Sequence, residues 1–342
     1  MSILQAFRIG FRQAWQAKRM VFFAWIVNVV LAFTVALPIV NLLDDYIGST
    51  VYEEKLLQGL DSNWFDTFRA DHQEHSLVRS FDYTITGYAP FFAHYEMFLS
   101  GVVLKAIGNF LVDLVFRWRV GIEYLGPVTI LTFVYLLAST FLAGSFIGSF
   151  AKPYRVTFQE FLMEGAKYFG KFFRISLVFL IIGLVFFEGI VDWWTGSIPS
   201  MTQDSPSEWT PFLHYMIRNA VILIVLGILI LCFDYAKIRT VVDDRFSALF
   251  ATWAGMRFVF SNFAATAGLF LLLVVTGLGF IVLYALLQST LSVSGYWSMV
   301  LLFLFQQLYI AARLSVRAMA YASQTQLYQS RMRIEHRVES VP

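Results

Sequence analysis

Ionisable side chains set against apolar runs are where this chain could do chemistry. A charge at membrane depth is costly, and it persists where it pairs, relays a proton or holds a ligand. The densest such stretch is Phe233-Asp-Tyr-Ala-Lys-Ile-Arg-Thr-Val-Val-Asp-Asp-Arg245, which follows the wholly apolar run 220–231. Asp234 and Lys237 are three residues apart, a helical spacing that lets them meet, and Arg239 follows. Arg313 and Arg317 end another apolar run at a comparable level. A functional reading makes Asp234, Lys237 and Arg313 an ion or proton gate, or a docking point for an anionic headgroup. A structural reading makes them a salt bridge fastening two helices, with Lys and Arg stems snorkelling to the interface. Their position near helix ends favours the structural reading.

Three further side chains stand well inside apolar runs: Asn28, Gln306 and Gln307. They suit hydrogen bonds across helices, or the lining of a transport path. Glu188 with Asp192, and Arg218 with Asn219, lie near the opposite ends of two runs, and a Glu188–Arg218 pair is expected. The nearest approach to a metal motif is Asp71-His72-Gln-Glu74-His75, whose spacing matches neither H-E-x-x-H nor H-x-x-E-H. A solvated, charged helix is expected there, with no metal. His94, His214 and His336 are isolated. There is no G-x-S-x-G, Walker loop, dinucleotide fingerprint or C-x-x-C, so no catalytic residue and no cofactor is assigned. Cys232, the one cysteine, excludes an internal disulfide and reads as a small buried residue.

The elements that must position these residues follow from composition. The chain has 342 residues, 58% hydrophobic and 14% charged, well below the roughly 25% charged of soluble domains. Six runs are long enough to cross a membrane: about 20–40, 125–150, 174–191, 212–233, 263–288 and 296–320. A seventh, 97–116, carries Lys105, Asn109, Asp113 and then Arg117 at four-residue intervals. That stripe, able to pair as a ladder, favours a surface or capping helix near 97–119. With six spans and both termini cytoplasmic, most of the 25 Lys+Arg fall inside and most of the 23 Asp+Glu outside, as the positive-inside tendency requires. The basic N-terminus precedes a run too long for a signal-peptide core, so it reads as a retained first span.

Each odd-numbered span is preceded by an amphipathic stretch. Ile3, Leu4, Phe7, Phe11 and Trp15 oppose Arg8, Arg12 and Gln16. Phe158, Phe161, Leu162, Phe169, Phe172 and Phe173 oppose Glu160, Glu164, Lys167 and Lys171. Phe246, Leu249, Phe250, Trp253 and Phe260 oppose Arg257. These predict three cytoplasmic surface helices, bathed in anionic headgroups and forming a collar. The returning spans end alike, at Phe150-Ala-Lys152 then Arg155 and at Tyr235-Ala-Lys237 then Arg239; Ala312-Arg313 then Arg317 is a looser match. Three pseudo-repeats, 1–150, 151–240 and 241–342, are therefore expected. Residues 41–124 form an acidic extracytoplasmic insertion rich in aromatics, 192–211 an interfacial turn region, 289–295 a short connection, and 324–342 a polar, basic tail. Gly144-x-x-x-Gly148, with Gly165, Gly170, Gly277 and Gly279, suggests close helix packing.

The segment 233–245 resembles that of an uncharacterised family of bacterial six-span membrane proteins. The likeness continues in Ser247-Ala-Leu-Phe, Met256-Arg-Phe-Val259, Gln307-Leu-Tyr-Ile-Ala-Ala-Arg313 and Tyr321-Ala-Ser-Gln-Thr-Gln-Leu-Tyr-Gln-Ser330. The resemblance implies six spans and a bacterial inner membrane, and carries no activity. The expectation is an all-α polytopic membrane protein, a scaffold or accessory subunit or a lipid-organising protein. Its expected partners are membrane lipids and other membrane subunits, not nucleic acid. A transporter of a small or amphipathic molecule is the second reading, and a metal-dependent lipid-modifying enzyme the third. A polar cavity at mid-membrane would favour transport, a convergent His72/His75/carboxylate cluster the enzyme, and a dry, tight bundle the scaffold.

Overall fold

A computed structural model of the chain describes residues 1–47, 62–75, 78, 99–116, 127–244, 247–288, 290 and 296–339. The described residues fold as helices, with no strand among them. The elements are α1 (Ile3–Gln16), α2 (Lys18–Ile47), α3 (Ser62–Asp71), α4 (Val102–Val115), α5 (Pro127–Ala151) and α6 (Phe158–Leu184). A π-helical turn (Val185–Val191) leads into α7 (Asp192–Thr202), and α8 (Trp209–Val242), α9 (Ala248–Ser261), α10 (Phe263–Gln288) and α11 (Tyr296–Glu339) complete the chain. Six stretches are long and apolar enough to cross a membrane: Lys18–Tyr46, Ile130–Ala151, Phe158–Thr202, Trp209–Val242, Phe263–Gln288 and Tyr296–Met332. Large apolar side chains recur on their outward faces, as at Phe22, Ile26, Val30, Phe33 and Leu37 of α2, which is what a lipid-facing surface requires. Helix α4, at 14 residues, is too short for a hydrocarbon core that needs about 20.

The chain forms two compact units. The first comprises residues 1–61, 135–175 and 231–342, the second 62–134 and 176–230. In the second unit, Leu99, Phe186, Phe187, Val191, Ile222 and Leu226 build a core. Gly101 caps α4 at φ +69° with the Phe187 ring where a Cβ would stand. Only glycine takes that left-handed conformation freely and leaves room for the ring. Lys105 Nζ pairs with Asp192 at 2.7 Å, a longer reach than the expected ladder along its own helix. Arg218 donates to Thr195 Oγ1 at 2.8 Å and to Asn219 Oδ1. Glu188 is exposed, so the expected Glu188–Arg218 pair does not form.

The first unit holds all three amphipathic stretches, and each starts at a hydroxyl cap. Ser2 accepts from Gln5 N and receives its side chain in return. Thr157 and Glu160 exchange the same two bonds. Ser247 accepts from Phe250 N. These caps satisfy orphan donors of the first turn. Each cap stands eight residues before a buried glycine, Gly10, Gly165 or Gly255, and each glycine is followed two residues later by an exposed base, Arg12, Lys167 or Arg257. Where a Cβ would stand on Gly10 lies Ser323 of α11. On Gly165 it would meet Ser145 and Phe141 of α5, and on Gly255 the backbone of Ala236 in α8 at 2.7 Å. The three stretches thus cross the ends of the sixth, second and fourth apolar helices, respectively.

In α1 the packed face is Ala6, Gly10 and Ala14, while Leu4, Phe11 and Trp15 point outward, the orientation expected of a surface helix. Lipid solvates large apolar side chains as well as protein does, so small residues that let backbones approach take the protein side. Helix α9 exposes Leu249, Phe250, Trp253 and Phe260 but buries Phe258 and Val259 beside Ala251, Thr252 and Gly255. Other expectations are corrected: in α6, Phe161 and Phe172, expected on the outward face, are core. Breaks follow α1 at Ala17 and α9 at Asn262, whereas α6 runs unbroken from amphipathic stretch into span because nothing from Phe173 to Ser176 stops a helix. The region 192–211 is helical to Thr202, with the turn confined to 203–208. Gly144 meets Gly165, as the small-residue spacing suggested, but Gly170, Gly277 and Gly279 face open space. Much of the acidic insertion (48–61, 76–77, 79–98, 117–126), Arg117, Arg245, Phe246, the connection 289 and 291–295, and the side chains from Arg333 onward lie outside the described residues.

Candidate functional site

Helix α8 continues two turns beyond the expected end of its span, to Val242. That extension turns an anticipated interfacial mouth into core: Asp234 is 1% exposed, Lys237 4%, and Tyr235, Ala236 and Ile238 are fully buried. Helix α11 also runs on past its apolar run. Its segment Ala318–Tyr328, which runs from the end of the expected span into the expected polar tail at 324, is the most buried part of the helix. The covering helix α1 packs on α11 through Gly10 and Ser323.

Within this packing, Arg317 Nη2 donates to Asp234 Oδ1 at 3.4 Å, and its Nε donates to Tyr321 OH at 3.0 Å. The Arg317 guanidinium also lies 4.7 Å from the Tyr321 ring centre. Arg317, not Arg313, is therefore the partner that α11 offers to Asp234. The Lys237 stem does not snorkel outward: its ammonium folds back over the Phe233 ring, 3.4 Å from the centre. Among the described residues no carboxylate comes within ion-pair distance of it. Arg239 belongs to a second, separate set of contacts. It pairs with Asp243 at 3.0 Å and donates to Ala254 O at 3.1 Å, and Asp243 accepts from Tyr328 OH at 3.3 Å. Tyr235 and Tyr328 both pack on the Phe258 ring, with centroids at 5.2 and 4.7 Å.

The junction of α5 and α6 carries a matching base. Lys152 pairs with Glu164 at 2.7 Å, and that bond, ahead of the carboxylate's charge, raises the Lys152 ammonium above its ordinary range. Nearby Lys171 bonds Asp244 at 2.9 Å and holds that carboxyl below the ordinary aspartate range. Gln326 and Gln329 of α11 donate to the last carbonyls of α5, Phe150 O and Ala151 O, at 3.4 and 2.9 Å.

The remaining candidates serve packing. Asn28 turns back onto Ala24 O of its own helix at 2.8 Å, so it does not bridge helices. Gln307 accepts from Trp25 Nε1 at 3.2 Å, tying α11 to α2, and beside Gln306 the Tyr284 ring stacks on Phe305 and Tyr309, tying α10 to α11. His72 Nδ1 lies 2.9 Å from Phe68 O of its own helix, and no group of three or more His, Cys, Asp or Glu among the described residues could hold a metal. Sequence reasoning missed the burial of 318–328. The small residues Ala318, Ala320, Ala322 and Ser323 were its signal. The sequence matches no protein-family model, and it matches no curated protein and no solved structure.

Proposed function

We propose that this chain is a structural component of a bacterial inner membrane, a scaffold or accessory subunit that also organises lipid. The observation that carries the reading is where its intramembrane polar groups go. Of the residues that would line a path, Gln307 bonds Trp25 of another helix and Asn28 turns back onto its own helix. Asp234 is closed against Arg317. In hydrocarbon the Gln307 and Asp234 bonds fix helix against helix. The architecture proposed with it is three pseudo-repeats, each entered by a capped helix with its buried glycine and following base. The crossings of Gly165 on α5 and Gly255 on α8 join consecutive copies, and that of Gly10 on α11 joins the first to the last. Both termini then lie on the cytoplasmic face, where Arg12, Lys167 and Arg257 meet anionic headgroups, each contributing on the order of 1 kcal/mol.

Mass analysis of the intact particle, purified from native membranes in mild detergent, tests the role. A membrane protein partner at fixed stoichiometry, retained through purification, is the expected result. A lone chain that moves a solute across vesicles on reconstitution contradicts it.

A further inference from the structure

We infer that Lys237 and Arg317 together bind a phosphate group, that of a membrane phospholipid headgroup or a free phosphate ion. Two bases here share one acid. Asp234 is committed to Arg317, and Lys237 is 4% exposed with no carboxylate at ion-pair distance among the described residues. With both bases protonated, two cations stand against one anion in a setting of low dielectric, and a bound anion would stabilise that state.

The α5–α6 junction shows what compensation looks like in this fold. Lys152 follows Phe150-Ala151 as Lys237 follows Tyr235-Ala236. The acid that pairs with Lys152 is Glu164, the residue before the buried Gly165. In α9 the residue before the buried Gly255 is Ala254. Glu164 packs on Gly148, one turn before Lys152, whereas Gly255 crosses α8 at Ala236 and the Ala254 carbonyl meets Arg239; α9 carries no acidic residue to offer Lys237. Arg317, with its side chain 48% exposed, is the open end of the cluster, and the half-buried Phe233 ring covers the ammonium, so an anion bound at Arg317 reaches Lys237 as that ring swings aside. A guanidinium fork and an ammonium suit phosphate by shape and charge.

Thermal unfolding of the full chain in neutral detergent tests this, with phosphatidylglycerol added against phosphatidylcholine, and inorganic phosphate against chloride at matched ionic strength. Phosphatidylglycerol is expected to raise the midpoint by roughly 5 °C over phosphatidylcholine. Lys237→Met should abolish the rise. A rise with phosphate ion and none with phosphatidylglycerol assigns the site to a free anion instead. Should Lys237→Met fail to fold, Arg317→Gln, which alters a half-exposed side chain, gives the same reading. No rise with either probe, or a rise of undiminished size in these variants, overturns the inference.

Discussion

Lys152 and Lys237 follow the same aromatic-alanine pair at the ends of two apolar helices, and each lies beside an entering helix crossed through glycine. One finds Glu164 at 2.7 Å; the other lies folded on Phe233 with its nearest acid given to Arg317. The difference lies in where the entering helix crosses. Gly165 meets α5 at Gly144 and Ser145, well before Lys152, whereas Gly255 meets α8 at Ala236, beside Lys237. Only the earlier crossing brings an acid, Glu164, to the base.

The sharpest way to break the comparison is to remove the acid at each junction. Asp234→Asn leaves Arg317 and Lys237 without a carboxylate and is expected to cost about 3 kcal/mol, the lower end for a broken buried pair because Arg317 is half-exposed. Glu164→Gln should cost about 1 kcal/mol, since Lys152 stays partly solvated. Denaturant titrations in detergent should rank them so, and equal losses would show the two bases to be equivalent after all. Gly255→Leu comes next. Its new side chain meets the Ala236 backbone at 2.7 Å, which cannot swing aside, and a loss of about 1–3 kcal/mol is expected. Gly170→Ala, in open space on α6, should instead gain about 0.5–1 kcal/mol from helix propensity.

The smallest effects are in pH. Asp244 is held low, first by its hydrogen bond from Lys171 and then by that residue's charge. Its contribution is present above the unfolded aspartate value and lost as pH falls through the folded one. Lys152, held high by Glu164, contributes fully below the unfolded lysine value and loses that contribution as pH rises through the folded one. Lys171→Met should therefore flatten the acid limb of a stability profile, and Glu164→Gln the alkaline limb.

Six apolar helices and three amphipathic entries were legible in the sequence because length and periodicity declare them. The buried face was not. Helix α1 carries two apolar faces, and the larger, with Phe11 and Trp15, is the one a reader of soluble proteins would bury. In lipid the ranking inverts, and Ala6, Gly10 and Ala14 take the contact. The cluster itself was legible as a set of residue types: Asp234, Lys237 and Arg317 all belong to it. Its depth was not, because burial of α8 past Phe233 depends on α9 and on the 317–328 part of α11, and the latter lies far along the sequence. Choosing Arg317 over Arg313 likewise needed the rotation of α11, which packing against α1 sets.

The central claim is that the polar residues within the apolar helices hold helices together. The single cysteine, Cys232, is buried, so a Cys232→Ser chain carrying one cysteine at position 28, 306 or 307 gives a clean probe. Labelling of folded protein in sealed vesicles with a charged, membrane-impermeant thiol reagent, applied from each side in turn, is the most direct test. The account predicts no labelling at any of the three positions, with full labelling after unfolding. Rapid labelling at 306 or 307 in the folded protein would mean a water-filled path and would contradict it.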